Sequence, residues 1–290
     1  MPTKIEKDAI SGTDTTGHEW DGIRELNTPL PKWWLYLLFA TVLFSVVYWV
    51  LFPAIPGLSG YTKGLLGYNQ RTAFETQLAA AQAEQARYLD RIHARSVTEI
   101  AADPELRAFA VAGGRAAFGE NCAACHGLGG AGRPGGFPVL ADDDWLWGGT
   151  LDDIHATITH GVRQDDPDTR TNVMPSFGAD GLLTAEEMND VAEYVLSLSG
   201  RAGDATAAGR GAAVFADNCA SCHGEDGKGQ TALGAPDLTD AIWLYAADKA
   251  GILRQINKPA MGQMPAWGRR LSPETIKMLT LYVHDLGGGQ

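Results

Sequence analysis

The sequence predicts a mainly α protein: one N-terminal transmembrane helix followed by two tandem, small, all-α domains. Three observations carry that expectation. Residues 33–52 are apolar and uncharged, the pentapeptide pattern C-x-x-C-H occurs twice, and the segment around its first occurrence returns 97 positions later, from Phe118 to Phe215. A self-similar segment at that spacing indicates two copies of one structural unit.

The first 32 residues are mostly polar and form a separate N-terminal segment ahead of the span. The run WWLYLLFATVLFSVVYWVLF, Trp33 to Phe52, is long enough at 1.5 Å per residue to cross about 30 Å of hydrocarbon. Trp33 and Trp34 mark one end and Tyr48 and Trp49 the other, where amphipathic rings favour the headgroup region, and Pro53 and Pro56 stop the helix. A cleaved signal peptide would be shorter, would start earlier and would end in small residues, so an uncleaved anchor is the expected reading. Arg24 and Lys32 before the span are balanced by Lys63 and Arg71 after it, so flanking charge does not set the orientation.

Residues 53–112 are expected to form a linker with helices on the far side of the span from the N-terminus. The stretch from Arg71 is rich in Ala, Gln, Glu and Arg and predicts one long connector helix, and Asp103-Pro104-Glu105 signals a fresh, shorter helix. Two domains follow, over residues 113–200 and 207–290. Each opens with a short helix (Gly113 to Asn121; Gly209 to Asn218), runs through a Gly-rich and Pro-rich loop, and closes with an amphipathic helix. Thr184 with Glu187 makes a capping box ahead of a stripe of Met188, Val191, Val195 and Leu198. Ser272 and Pro273 start the second closing helix, with Ile276, Leu279, Tyr282 and Val283 as its stripe. Met188 and Met278 lie inside these stripes and are read as core.

All four cysteines belong to the repeated pattern: Cys122-Ala-Ala-Cys125-His126 and Cys219-Ala-Ser-Cys222-His223. Two thiols three residues apart on one helical turn can add to the two vinyl groups of one porphyrin, while the next residue offers its imidazole to the iron. The pattern therefore predicts two covalently attached haems c, one in each of two tandem cytochrome c-like all-α haem domains. A four-thiolate zinc site is the competing reading, and it does not explain a histidine after each second cysteine.

An electron-transfer haem needs a second strong axial ligand. Met174-Pro175-Ser176-Phe177-Gly178 and Met264-Pro265-Ala266-Trp267-Gly268 repeat one phrase after each motif, so Met174 and Met264 are the expected sixth ligands, with Met261 competing for the second. In chain order His126 pairs with Met174 and His223 with Met264. His155 and His160 are the histidines between the first motif and Met174 and are lesser candidates. Propionate partners could come from Arg133, Arg163, Lys228, Arg254 or Lys258. A net charge of −12 argues against a nucleic-acid partner; it suits either a solvated acidic surface or a docking face for a basic redox protein.

One N-terminal span followed by two C-x-x-C-H domains resembles subunit III of the cbb3-type cytochrome c oxidases. The run His18-Glu19-Trp20-Asp21-Gly22-Ile23-Arg24-Glu25-Leu26-Asn27, with Pro29-Leu30-Pro31 and Trp33-Trp34, is similar to the stretch before the span in that family. Some members carry two membrane helices; this chain shows one. The resemblance implies a bacterial inner-membrane subunit with its N-terminus in the cytoplasm and its haem domains in the periplasm. It would pass electrons from cytochrome c, through a monohaem cytochrome c subunit, toward a haem-copper catalytic subunit. Oxygen reduction would lie in that other subunit, because a haem-copper site needs several intramembrane histidines and the span here has none. The alternatives are a membrane-anchored dihaem cytochrome c serving another reductase or dehydrogenase, and a dihaem peroxidase. Two Met-Pro phrases oppose the peroxidase, since a six-coordinate haem leaves no substrate position.

Overall fold

The computed structural model describes residues 4–245 and 247–290. The chain divides into two compact units, residues 1–84 and 85–290.

In the first unit, strands β1 (Thr15–Trp20) and β2 (Ile23–Leu26) pair antiparallel, a hairpin the sequence reading did not foresee. Arg24 pairs across the hairpin with Glu19 at 2.9 Å and holds it to the preceding segment through Glu6 at 2.6 Å. Helix α1 (Lys32–Leu51) follows, and none of its residues is buried. It is the one described helix long and apolar enough to cross a membrane. Its two small hydroxyls bond back into the helix, Thr41 Oγ1 to the Leu38 carbonyl and Ser45 Oγ to that of Thr41, so neither needs an outside partner. A two-residue pairing of β3 (Pro56–Gly57) with β4 (Gly60–Tyr61) comes next, before α2 (Gln70–Ala94).

The second unit contains α3 (Val97–Ala102) and α4 (Pro104–Asn121). Asp103 caps α4 through the Leu106 amide at 3.1 Å, with Pro104 in the first turn, as expected. The helix then runs without a break into the first cysteine motif, so residue 113 is mid-helix. The motif forms the single turn α5 (Ala123–His126). After a loop come α6 (Leu151–His160), α7 (Ala185–Leu198), α8 (Ala205–Asn218), the second motif turn α9 (Ala220–His223), α10 (Lys249–Asn257) and α11 (Pro273–His284). Both predicted caps of the closing helices are present: the Thr184–Glu187 box on α7, and Ser272 accepting from the Thr275 amide on α11.

The packing partners are not those of two beads on a string. The opening helix α4 lies against α11, the closing helix of the other half, and α7 lies against α8, which follows it in the chain. Each crossing is close because it has a glycine at its centre. A Cβ at Gly114 would run into the Met278 carbonyl of α11, and one at Gly211 of α8 into the Asp190 carbonyl of α7. Apolar burial follows the same exchange. Phe118, Ile154 and Ile158 share a core with Ile276, Leu279 and Val283; Val191, Val195 and Leu196 share another with Phe215, Ile252 and Ile256. A third cluster, Ile92, Ile100, Leu106, Ala110, Met278 and Leu281, seats α2, α3 and α4 on the outer side of α11.

Candidate functional site

The two motif turns are built alike. Asn121 closes α4 with its side-chain amide on the Ala117 carbonyl at 2.9 Å, and Asn218 does so on Val214 at 3.0 Å. Within each turn the second cysteine amide donates to the first cysteine carbonyl at 3.1 Å and the histidine amide donates to it at 2.9 Å, so both thiols and the imidazole leave one turn. His126 Nδ1 lies 3.2 Å from the Pro138 carbonyl and His223 Nδ1 3.1 Å from that of Pro236. A carbonyl only accepts, so each Nδ1 carries the proton and each Nε2 lone pair is available to a metal. Burial pushes both imidazoles below the usual histidine range, more than those carbonyls raise them, which keeps them in the neutral, ligating form.

No disulfide joins the four cysteines. Burial, with a smaller contribution from the neighbouring cysteine, pushes Cys122 and Cys219 up to about 11. Cys122 and Cys219 lie in different clusters, and among the described residues the one convergent group of three His, Cys, Asp or Glu ligand atoms is His160, Asp166 and Asp168, which contains no cysteine. Four thiolates round one zinc do not fit this arrangement. A thiol pair beside an imidazole with a free Nε2 and an apolar wall fits a covalently held haem.

On the distal side the structure departs from chain order. Met264 packs in the cluster with Cys122, Phe118 and Trp145, whereas Met174 packs in the cluster with Cys219, Phe215 and Trp243. The pairing of His126 with Met174 and of His223 with Met264 is thus not the one the fold brings together. Because α7 and α11 have exchanged partners, the loops leading into them have crossed too. Trp267 and Gly268 donate to the carbonyls of Ile158 and Thr159 at the end of α6, at 3.1 and 2.9 Å, and Met264 exchanges two backbone bonds with Val162 at 3.0 and 3.1 Å. Symmetrically, Ala179 donates to the Asn257 carbonyl at the end of α10 at 3.0 Å. Met261 is 42% exposed and lies outside both clusters. Met188 and Met278 belong to cores, as expected, and His160 is engaged by Asp166 at 2.9 Å.

Sequence reasoning missed two helices and two indoles. Stretches read as loop contain α6, capped by Thr150 on the Asp153 amide, and α10, capped by Asp248 on that of Gly251. The signal was present in Ile154 and Ile158, and in Ile252 and Ile256, each pair four apart behind a capping residue. Trp145 and Trp243 each pack on one of the two cores; their repeated phrases, Trp145-Leu146-Trp147 and Trp243-Leu244-Tyr245, would have found them.

Three family models match the chain. The N-terminal domain of cytochrome oxidase-cbb3, FixP, covers residues 12–59; cytochrome c covers 111–199; and cytochrome c oxidase, cbb3-type, subunit III, covers 206–283. Among similar proteins, the cbb3-type cytochrome c oxidase subunit CcoP of Azospirillum brasilense is 54% identical over 292 residues, 98% of this chain and 99% of that one. CcoP of Azospirillum sp. (strain B510) is 53% identical over 98% of both chains. Subunit FixP of Azorhizobium caulinodans is 52% identical over 98% of this chain and 96% of its own.

Proposed function

The chain belongs to the CcoP/FixP family of cbb3-type cytochrome c oxidase subunits, and from that membership we propose that it is the electron-entry subunit of such an oxidase, carrying two haems c. Haem supplies a one-electron iron couple; the chain's residues determine where it sits and how it is tuned. Cys122 and Cys125 tether one group and Cys219 and Cys222 the other. His126 and Met264 close the first iron, and His223 and Met174 the second. The observation that carries this pairing is the packing of each methionine in the core that contains the other half's cysteine. A thioether and a neutral imidazole together would favour the reduced state of the iron and would keep small ligands off it.

Electrons enter from a cytochrome c and leave toward a monohaem cytochrome c subunit and the haem-copper subunit, where oxygen is reduced; this chain is not itself the catalyst. α1 anchors it in the bacterial inner membrane, with residues 1–32 in the cytoplasm and the haem-bearing unit in the periplasm. Gentle extraction of the tagged protein from its native membrane tests the assignment. Haem b, copper and cyanide-sensitive oxygen uptake with reduced cytochrome c are expected to co-purify. A protein that emerges alone from membranes shown to hold an intact oxidase is an independent carrier, and the proposal fails.

A further inference from the structure

The two methionine loops cross at one point, and Arg163 sits there. It follows α6, and its backbone is in the left-handed region at φ 55°, which a side chain with a Cβ adopts at some cost. One terminal nitrogen donates to the Gly262 carbonyl at 2.8 Å, two residues before Met264, and the other to the Asn172 carbonyl at 2.9 Å, two residues before Met174. A single side chain thus holds both ligand loops. Its third nitrogen is different: Nε is buried and has no acceptor among the described residues, and no described carboxylate pairs with the guanidinium. Burial lowers its proton affinity, as for a cation lacking its counter-charge.

A guanidinium whose two terminal nitrogens each give one N–H to a backbone carbonyl, with no described carboxylate beside it, keeps a second N–H on each of those nitrogens for an anion. The other cations named from the sequence do not share this placement. Arg133, Arg254 and Lys258 are exposed, and Lys228 is taken up by Thr239 at 2.6 Å and Asp237 at 3.5 Å. Resting on the reading that each pocket holds a haem, we propose that Arg163 is a positioning residue that binds a haem propionate at the crossing of the two methionine loops and couples that carboxylate to both iron ligands. It keeps the propionate ionised, and its charge favours electron uptake by the nearer iron.

The test is redox titration of the full-length protein and of its Arg163→Gln and Arg163→Lys variants at pH 6 and pH 8, after covalent haem has been counted in each. In the Gln variant one centre is expected to become harder to reduce by about tenfold in its equilibrium constant, ~59 mV for one electron. Its potential should also acquire a pH dependence that the parent lacks, because the freed propionate now titrates. The Lys variant, which keeps the charge but loses the fork, should shift by less and stay independent of pH. Repeating the titration with Met174→His or Met264→His in the same chain marks which centre moved, and so which haem supplies the propionate. If the Gln variant does not load haem, the Lys variant decides: a partial shift supports the assignment and an unchanged potential overturns it. Fully loaded Gln protein with unchanged potentials at both pH values overturns this inference alone, whereas a parent protein without two covalent haems overturns the reading beneath it.

Discussion

The two helix crossings of the second unit solve one problem by different means. α7 and α8 are joined by residues 199–204 and meet as a local hairpin; α4 and α11 are separated by residues 122–272. Loop-closure entropy grows by about 0.6 kcal/mol per doubling of length, so the second crossing costs about 3 kcal/mol more to form. Extra packing offsets this cost. The outer face of α11 buries Met278 and Leu281 against α2, α3 and α4, and Lys277 Nζ donates to the carbonyls of Ile92, His93 and Arg95 at 3.0, 3.0 and 2.6 Å, satisfying the end of α2. Among the described residues the local hairpin has no such buttress and carries buried charge instead. Asp190 takes a two-pronged bond from Arg210 at 2.6 Å, and Glu193 accepts from Lys249 at 2.7 Å and from the amides of Gly203 and Asp204. Long-range closure is bought with apolar area, local closure with polar specificity.

The largest expected effect breaks the pairing itself. Met264→His should lower the potential of the haem on Cys122 and Cys125, and Met174→His that of the haem on Cys219 and Cys222. Each fall should be on the order of 0.2 V, within the roughly 0.8 V that axial ligands span. In the reduced protein, nuclear magnetic resonance with methyl-labelled methionine should connect the Met264 methyl to the His126 haem. Connection to the His223 haem would restore chain-order pairing.

Next come the crossings. Gly114→Val and Gly211→Val should each destabilise the second unit by about 2–3 kcal/mol through overpacking. Carbon monoxide should then bind the His126 haem in the first variant and the His223 haem in the second, read from denaturant titrations and reduced spectra. Both variants opening the same haem would show that the crossings do not govern the pockets separately.

A smaller effect lies where the halves' loops meet. Burial, with Asp240, Asp142 and Asp237 nearby, pushes Asp144 up to about 6. A carboxyl raised above its unfolded value stabilises the fold only while protonated, and that contribution is lost as the pH rises through about 4 to 6. Asp144→Asn should therefore stabilise the protein at pH 7 by about 1 kcal/mol, after allowance for its partial exposure to solvent, and change nothing at pH 4. Equal melting temperatures at pH 7 would count against the burial.

The smallest concerns acid. Arg210 holds Asp190, and Lys249 holds Glu193, below the usual carboxylate range, so their contribution is complete above about pH 5 and fades as the pH falls below about 4. Hydrogen exchange near pH 3 should show α7 and α8 opening before the crossing of α4 with α11.

What the sequence made legible was local. The motif turns, the Met-Pro phrases, the caps at Asp103, Thr184 and Ser272 and the anchor are each written in a few adjacent residues. The exchange of partners was not, because two copies of one repeat have interchangeable stripes: Val191 and Val195 would suit α4 as they suit α8. Gly114 and Gly211 are the same repeat position and admit either closing helix; what separates the alternatives is the residue before each, Gly113 under the Met278 side chain and Arg210 on Asp190, and no short window of sequence contains both partners. The hairpin β1–β2 escaped because its register is irregular between Thr15 and Glu19.

The exchange also orders the birth of the molecule. A ribosome makes Met174 before Cys219, so the second motif emerges when its axial partner already exists. The first motif emerges 138 residues before Met264, the methionine that packs in its core. On the proposed pairing, a translation product truncated before residue 264 would keep every cysteine yet lack the sulfur meant for its first haem.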